Sequence, residues 1–241
     1  MSQLDGKVAL VTGASSGIGR AIAKKLAENG CRLILSGRNE VRLDALATEL
    51  GPETVAVSHD LAIEGEVSRP LERAKEEFGK LDILILNAGL FSNELFANED
   101  AAVSQKMIDV NLSSVVRLTH AALPLMKDQG SADIIGIGSI AGVADMRNEA
   151  VYSATKHALN AFLKTLRRQV ASDGIRVGSI LPGTVATKLW GLTDATEIDD
   201  KVKNGEVLRA EDIANIAEFL LKQPSHVAIR ELVVLPQRQD I

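Results

Sequence analysis

Tyr152-Ser153-Ala154-Thr155-Lys156 sets a phenol and an ammonium four residues apart at the start of a long apolar-periodic stretch. On a helix that spacing puts both on one face, one turn apart. A free phenol titrates near about pH 10, so it works as an acid or base near neutrality only beside a cation that favours the phenolate. Lys156 is placed to supply one. Ser139 closes the preceding apolar run, and one loop can bring its hydroxyl back to the same region. A hydroxyl, a phenol and an ammonium together can bind the oxygen of a carbinol or carbonyl and exchange a proton with it.

A second group of residues is suited to phosphate. Thr12-Gly13-Ala14-Ser15-Ser16-Gly17-Ile18-Gly19 lies between a strand pattern and a helix pattern. Glycines at such a turn let the backbone of Gly13, Ser15, Ser16, Gly17, Ile18 and Gly19 approach a pyrophosphate at the positive end of the helix. The spacing is G-x-x-x-G-x-G rather than G-x-G-x-x-G, but the strand-to-helix context supports dinucleotide binding. Glycines that only permit tight packing are the alternative. At the end of the second strand, a carboxylate would bond an adenosine 2′-hydroxyl and repel a 2′-phosphate. Ser36-Gly37-Arg38-Asn39 has none there. Arg38 offers a planar fork to a phosphate, which favours NADP over a possible NAD; a solvated surface arginine is the other reading.

Regular elements must position these groups. Apolar runs at 8–12, 32–36, 54–58, 83–86, 134–138, 176–181 and 231–235 alternate with helical patterns near 17–29, 40–50, 64–78, 100–127, 150–172 and 210–223. The runs are rich in Val, Ile and Leu without strict polar alternation, as in parallel strands covered on both faces. The expected fold is α/β: one Rossmann-type, doubly wound parallel sheet of about seven strands, with helices on both faces and residues 1–241 in a single domain. The stretch 183–208 is left as a long loop of the kind that closes over a substrate.

The 241 residues are 46% hydrophobic and 24% charged with a net charge of −5, which suits a soluble globular protein. That charge, with 3% aromatic residues, speaks against a nucleic-acid-binding face. One cysteine and four scattered histidines offer no metal site. No apolar run reaches the roughly 18 residues of a membrane span. The expectations are no metal, no nucleic acid, no membrane and a cytoplasmic location.

Taken in order, Thr12-Gly13-x-x-x-Gly17-x-Gly19, Asp60, Asn87-Ala88-Gly89, Asn111, Ser139, Tyr152-x-x-x-Lys156 and Pro182-Gly183 resemble the short-chain dehydrogenase/reductase family over nearly the whole chain. The resemblance implies hydride transfer between a nicotinamide cofactor and a small alcohol or carbonyl substrate. It implies Tyr152 as general acid/base, Ser139 as the group polarising the substrate oxygen, and Lys156 on the nicotinamide ribose, lowering the Tyr152 pKa. Asn111 would position a water in a proton relay. Asp60 and Leu61 would face the adenine, Asn87, Ala88 and Gly89 would line the cofactor, and Pro182, Gly183, Val185 and Thr187 would approach its carboxamide end. One departure is Leu86, where the family usually has a further Asn before Asn87.

The substrate pocket is expected between 90–98, 140–150 and 183–208. Phe91 and Trp190 are candidate walls, with Leu95, Phe96, Leu189 and Leu192. Asp145, Arg147, Asn148 and Glu149 bring polar groups to the entry, where Arg147 could pair with an acidic substrate. Arg167-Arg168-Gln169-Val170-Ala171, Ile175-Arg176-Val177-Gly178, Leu181-Pro182-Gly183 and the ending from Val227 to Pro236 resemble ribitol 2-dehydrogenases, which makes a polyol such as ribitol the leading substrate. Those enzymes usually carry an acidic residue where this chain has Gly37-Arg38. A 3-hydroxy acid dehydrogenase, a general carbonyl reductase and, remotely, a non-catalytic nucleotide-binding regulator are the alternatives. By the same resemblance, helices in 100–127 and 150–172 would join subunits into a homotetramer.

Overall fold

The computed structural model describes residues 2–127 and 129–240. Seven strands form one sheet in the order β3-β2-β1-β4-β5-β6-β7: β1 (Val8–Thr12), β2 (Arg32–Gly37), β3 (Thr54–Ser58), β4 (Ile83–Leu86), β5 (Ala132–Ile137), β6 (Ile175–Pro182) and β7 (Glu231–Val234). Every neighbouring pair is parallel. The α/β Rossmann-type fold expected from the strand and helix patterns is therefore the one observed.

The two-residue period of a strand sorts the core into layers. Ala9, Val11, Leu33 and Leu35 face a layer shared with α1 (Gly17–Glu28), α2 (Glu40–Leu50) and α8 (Ala210–Leu221). Val8, Leu10, Ile34 and Leu84 face the opposite layer, with α3 (Arg69–Phe78), α5 (Ser114–Met126) and α6 (Ala150–Val170). With both faces covered, β1 and β4 are buried at every position, which explains their unbroken apolar sequences. Strand order reverses at β1, which pairs with β2 on one side and β4 on the other. That reversal opens a crevice at the carboxyl ends of β1 and β4, where ligands bind in open α/β sheets.

Three expected segments differ in detail. The 64–78 helix is a short 3-10 turn, Glu64–Glu66, followed by α3, because Pro70 has no N–H to donate and belongs in a first helical turn. The 100–127 helix is broken into α4 (Ala101–Ile108) and α5 by a π-helical turn, Asp109–Ser113, which apolar periodicity does not reveal. The 183–208 stretch contains α7 (Ala195–Lys203), capped by an Asp194 side chain that accepts from the Glu197 N–H at 2.9 Å. The Asp194-x-x-Glu197 spacing is a readable helix-start signal.

Arg176 ties the sheet to the end of α8. Its guanidinium donates two bonds to the Asp133 carboxylate, at 2.7 and 3.1 Å. It also donates to the carbonyls of Leu221, Gln223, Pro224 and Val227. The pair is buried, with 13% and 6% of the two side chains exposed. Arg176→Met strands a buried carboxylate and four carbonyls, so urea unfolding should show a loss of about 3–5 kcal/mol. A loss under about 1 kcal/mol would contradict the anchoring role. Among the described residues no helix is long and apolar enough to cross a membrane.

Candidate active site

The crevice at the strand reversal is a cleft of about 660 Å³. Its first wall is the β1–α1 turn. Gly13 and Gly17 adopt φ of +68° and +54°, a left-handed region that L side chains avoid. A Cβ on Gly19 would lie 2.5 Å from the Gly13 carbonyl oxygen, so only glycine lets the helix start so close to the strand end. The N-cap Ser16 makes no side-chain cap bond, and α1 has no acidic residue in its first turn. An uncapped helix start behind bare glycines fits an anionic pyrophosphate. The chain thus offers a dinucleotide cradle by its own geometry.

Of the residues expected to hold a cofactor, Gly13, Ser15, Ser16, Gly17 and Ile18 line this wall. Arg38, Asp60 and Leu61 line the far end, Asn87, Ala88 and Gly89 the floor, and Thr187 the opposite rim. Gly19, Pro182, Gly183 and Val185 do not line the cleft. Gly19 packs against the loop backbone and Asn87, while Gly183 donates its N–H to the Val234 carbonyl at 2.8 Å. Val185 is buried and bridges Leu208, so these residues shape the rim from behind. The Thr12 hydroxyl donates to the Ile85 carbonyl and accepts from the N–H groups of Asn87 and Ala88, locking β1 to the β4 end. Leu86 is 3% exposed within β4 and packs in the core, so its departure from the family pattern changes packing behind the cleft.

Tyr152, in the first turn of α6, and Lys156, one turn on, both line the cleft and are both buried. Ser139 follows β5 by two residues. Its oxygen accepts from the Ala141 N–H at 3.1 Å, which leaves its O–H free to donate elsewhere. Lys156 Nζ donates to the Ile137 carbonyl at 3.0 Å and stands 5.6 Å from the Tyr152 ring centroid. Asn111 sits on the π-helical turn, a feature often found at functional sites. Its amide exchanges bonds with the Leu90 backbone, at 2.7 and 2.9 Å, and donates to the Thr155 hydroxyl at 3.1 Å. Thr155 in turn donates to the Tyr152 carbonyl at 2.7 Å. Asn111 therefore joins the cleft floor to the helix that carries Tyr152.

Burial dominates the protonation of the pair. It pushes the Tyr152 phenol up to about 12, against a smaller downward pull from the Ser139 hydroxyl and a further upward push from the Glu149 charge. Burial also brings the Lys156 ammonium down to about 8. Burial outweighs any lowering of the phenol in this structure, where the Lys156 ammonium donates to the Ile137 carbonyl. Near neutral pH the site therefore holds a phenol that keeps its proton and a lysine that is mostly charged. Tyr152 is the only tyrosine, so tyrosinate absorbance of the protein alone should rise only toward pH 12. The unfolded phenol titrates near about 10. Because the native pKa is the higher one, this stabilisation is whole below the unfolded value and is lost as pH climbs through the folded one. A native titration near pH 10 would show the phenol to be solvated.

Two predicted substrate walls meet at Tyr152. Phe91 sets its ring edge-to-face with Tyr152, centroids 4.9 Å apart at 87°, and lies 4.6 Å from the Trp190 ring. Leu95, Phe96 and Leu189 are exposed, as is Arg147. Several lining residues carried no sequence signal: Arg42 beside Arg38, Lys188 beside Thr187, and His59, whose Nε2 lies 2.6 Å from the Ser36 hydroxyl. Arg42 lies in the first turn of α2, and only the turn of the chain after β2 brings it to the cleft.

Residues 7–198 match the family described as short chain dehydrogenase. An uncharacterized oxidoreductase of Staphylococcus epidermidis is 36% identical over 236 residues, covering 98% of this chain and all of that protein. One of Staphylococcus saprophyticus is 39% identical over 243 residues, with the same coverage. Among solved structures, a 3-ketoacyl-(acyl-carrier-protein) reductase from Brucella melitensis complexed with NADH is similar at a TM-score of 0.89 and 30% identity, over 98% of this chain and 99% of that one. An alcohol dehydrogenase from Thermococcus sibiricus complexed with 5-hydroxy-NADP is similar at a TM-score of 0.90 and 30% identity, with the same coverage.

Proposed function

The chain belongs to the short chain dehydrogenase family, and from that premise we propose that it is an NADP-preferring oxidoreductase acting on a small polyol such as ribitol. The observation that carries the reading is that Tyr152 and Lys156 line one cleft that also opens onto the glycine turn, with the Ser139 hydroxyl hydrogen-bonded to Tyr152. The nicotinamide cofactor supplies or accepts the hydride when bound. Tyr152 Oη holds the proton that passes to or from the substrate oxygen, and Ser139 Oγ donates a hydrogen bond to that oxygen. A phenol that keeps its proton suits the donor role in carbonyl reduction. Lys156 holds the ribose and sets a positive charge near the phenol, while Asn111 positions both α6 and the Leu90 segment and holds a water for the proton relay. Phe91 and Trp190 exclude water from the reacting face.

On the cofactor side, the β1–α1 turn from Gly13 to Gly19 would take the pyrophosphate, Asp60 and Leu61 the adenine, and Asn87, Ala88, Gly89 and Thr187 the nicotinamide half. Pro182, Gly183 and Val185 would shape the carboxamide end. Arg38 and Arg42 at the β2 end support the NADP preference, since a 2′-phosphate there meets two guanidinium groups. A carboxylate substrate would need a cation beyond Lys156, which is committed to the ribose in this reading, and the exposed Arg147 gives the 3-hydroxy acid alternative no such support. A cytoplasmic homotetramer completes the reading, and exposed Val103, Ile108 and Val116 on α4 and α5 support the assembly.

The test is a screen of oxidation and reduction, with NADP and NAD, over pentitols, hexitols, 3-hydroxy acids and simple ketones. Ribitol with NADP is expected to lead. Turnover confined to 3-hydroxy acids would replace the polyol reading, and sedimentation as a monomer would remove the tetramer.

A further inference from the structure

We infer that Glu149 is a substrate-recognition residue whose carboxylate accepts a hydrogen bond from a donor, hydroxyl or ammonium, on the carbon next to the reacting carbinol. The inference rests on the proposed oxidoreductase reading and names the substrate class of that site: a vicinal diol or a vicinal amino alcohol.

Glu149 is 7% exposed, among the least exposed acidic residues of the chain. The other buried acids are engaged: Asp82 by Lys80 and the Val8 N–H, Asp133 by Arg176. Glu149 occupies the N-cap of α6, its side chain makes no cap bond, and burial pushes its carboxyl pKa up. Its carboxylate makes no hydrogen bond within the protein, so a ligand donor that replaces the little water reaching it would be held by a charge-assisted bond.

Its position says what donor that is. Glu149 precedes Tyr152 by three residues, and side chains three apart at a helix start are neighbours, with Cβ atoms about 5–6 Å apart. The carboxylate is near enough to act on the phenol through its charge. Glu149 donates its N–H to the Met146 carbonyl at 3.3 Å, and Met146, Val151 and Phe91 pack around Tyr152. Glu149 therefore adjoins the Met146 and Tyr152 cluster, outside the residues that line the cofactor cleft. A substrate whose reacting oxygen meets Tyr152 and Ser139 brings its neighbouring carbon toward this wall. A hydroxyl or ammonium there gives the carboxylate its missing partner, and a methyl group does not.

The series butan-2-ol, butane-2,3-diol and 3-aminobutan-2-ol, with a hydrogen, a hydroxyl or an ammonium on the neighbouring carbon, tests this with wild type, Glu149→Gln and Glu149→Ala. The measurements are kcat/KM with NADP and the ligand-induced Tm shift of the protein–NADPH complex. In wild type the diol or the amino alcohol should exceed butan-2-ol in kcat/KM by about ten- to a hundredfold, and Glu149→Ala should erase that margin. Glu149→Gln should erase the margin for the ammonium more than for the hydroxyl. NADPH affinity and the rate with butan-2-ol should stay within about threefold of wild type, and the Tm of Glu149→Gln should be equal to or above it, since no hydrogen bond of the Glu149 side chain within the protein is lost and a largely buried charge has gone. Equal losses on all three alcohols, or no donor-dependent Tm shift in wild type, would overturn the assignment. A margin seen with the amino alcohol and not with the diol or ribitol would leave Glu149 in place and overturn the polyol reading instead.

Discussion

Tyr152→Phe should leave a folded protein that binds NADPH within about twofold of wild type and loses kcat/KM by about a hundred- to ten-thousandfold, the range that a general acid or base contributes. The substitution removes one oxygen from a ring packed edge-to-face on Phe91, so the aromatic wall and α6 survive. What disappears is the site's only phenolic proton. A single-turnover measurement with NADPH and a ketone separates this from a binding defect, because the loss should sit in kcat with KM little changed. Turnover within about threefold of wild type would show that the proton comes from another group and would end the assignment of Tyr152. The same variant should lose the tyrosinate absorbance altogether.

Arg38→Asp should reverse cofactor choice. A guanidinium on a 2′-phosphate makes charge-assisted bonds worth about 1.5–3 kcal/mol, so kcat/KM with NADP should fall by roughly ten- to a hundredfold or more. Arg42 remains as a second cation at that end, which limits the loss and makes Arg42→Ala a smaller effect in the same direction. With NAD the new carboxylate can accept from the ribose hydroxyls, and kcat/KM should hold or rise. Both quantities belong in one experiment at fixed salt, since exposed charges are screened. Matched kcat/KM for the two cofactors in wild type would remove the NADP preference, and a fall of equal size for both in the variant would make Arg38 a structural residue.

The fold was legible in the sequence because two-faced burial gives each strand an unbroken apolar run, as in Val8-Ala9-Leu10-Val11 and Ile83-Leu84-Ile85-Leu86. The helices were legible from apolar periodicity, except where one turn deviates. The π-helical turn that carries Asn111 leaves no mark on that periodicity, and α7 hid in a segment rich in polar residues despite its Asp194 cap. Tyr152 and Lys156 were legible because a helix makes i and i+4 neighbours without help from the rest of the chain. The glycine turn was legible because a short strand-to-helix connection leaves few conformations for Gly13 and Gly17.

By itself, then, the sequence determined which residues can do chemistry and the order of elements that brings them together, since both follow from local spacing. Only the tertiary structure decided their environment. The direction of the Lys156 ammonium toward the Ile137 carbonyl, the phenol held at about 12, and the arrival of Arg42 beside Arg38 arise from packing between segments distant in sequence. So does the burial of Glu149, a residue that reads in sequence as one more charge at a pocket entry. Burial and the position of a charge are properties of what surrounds a side chain, and local spacing carries no record of those surroundings.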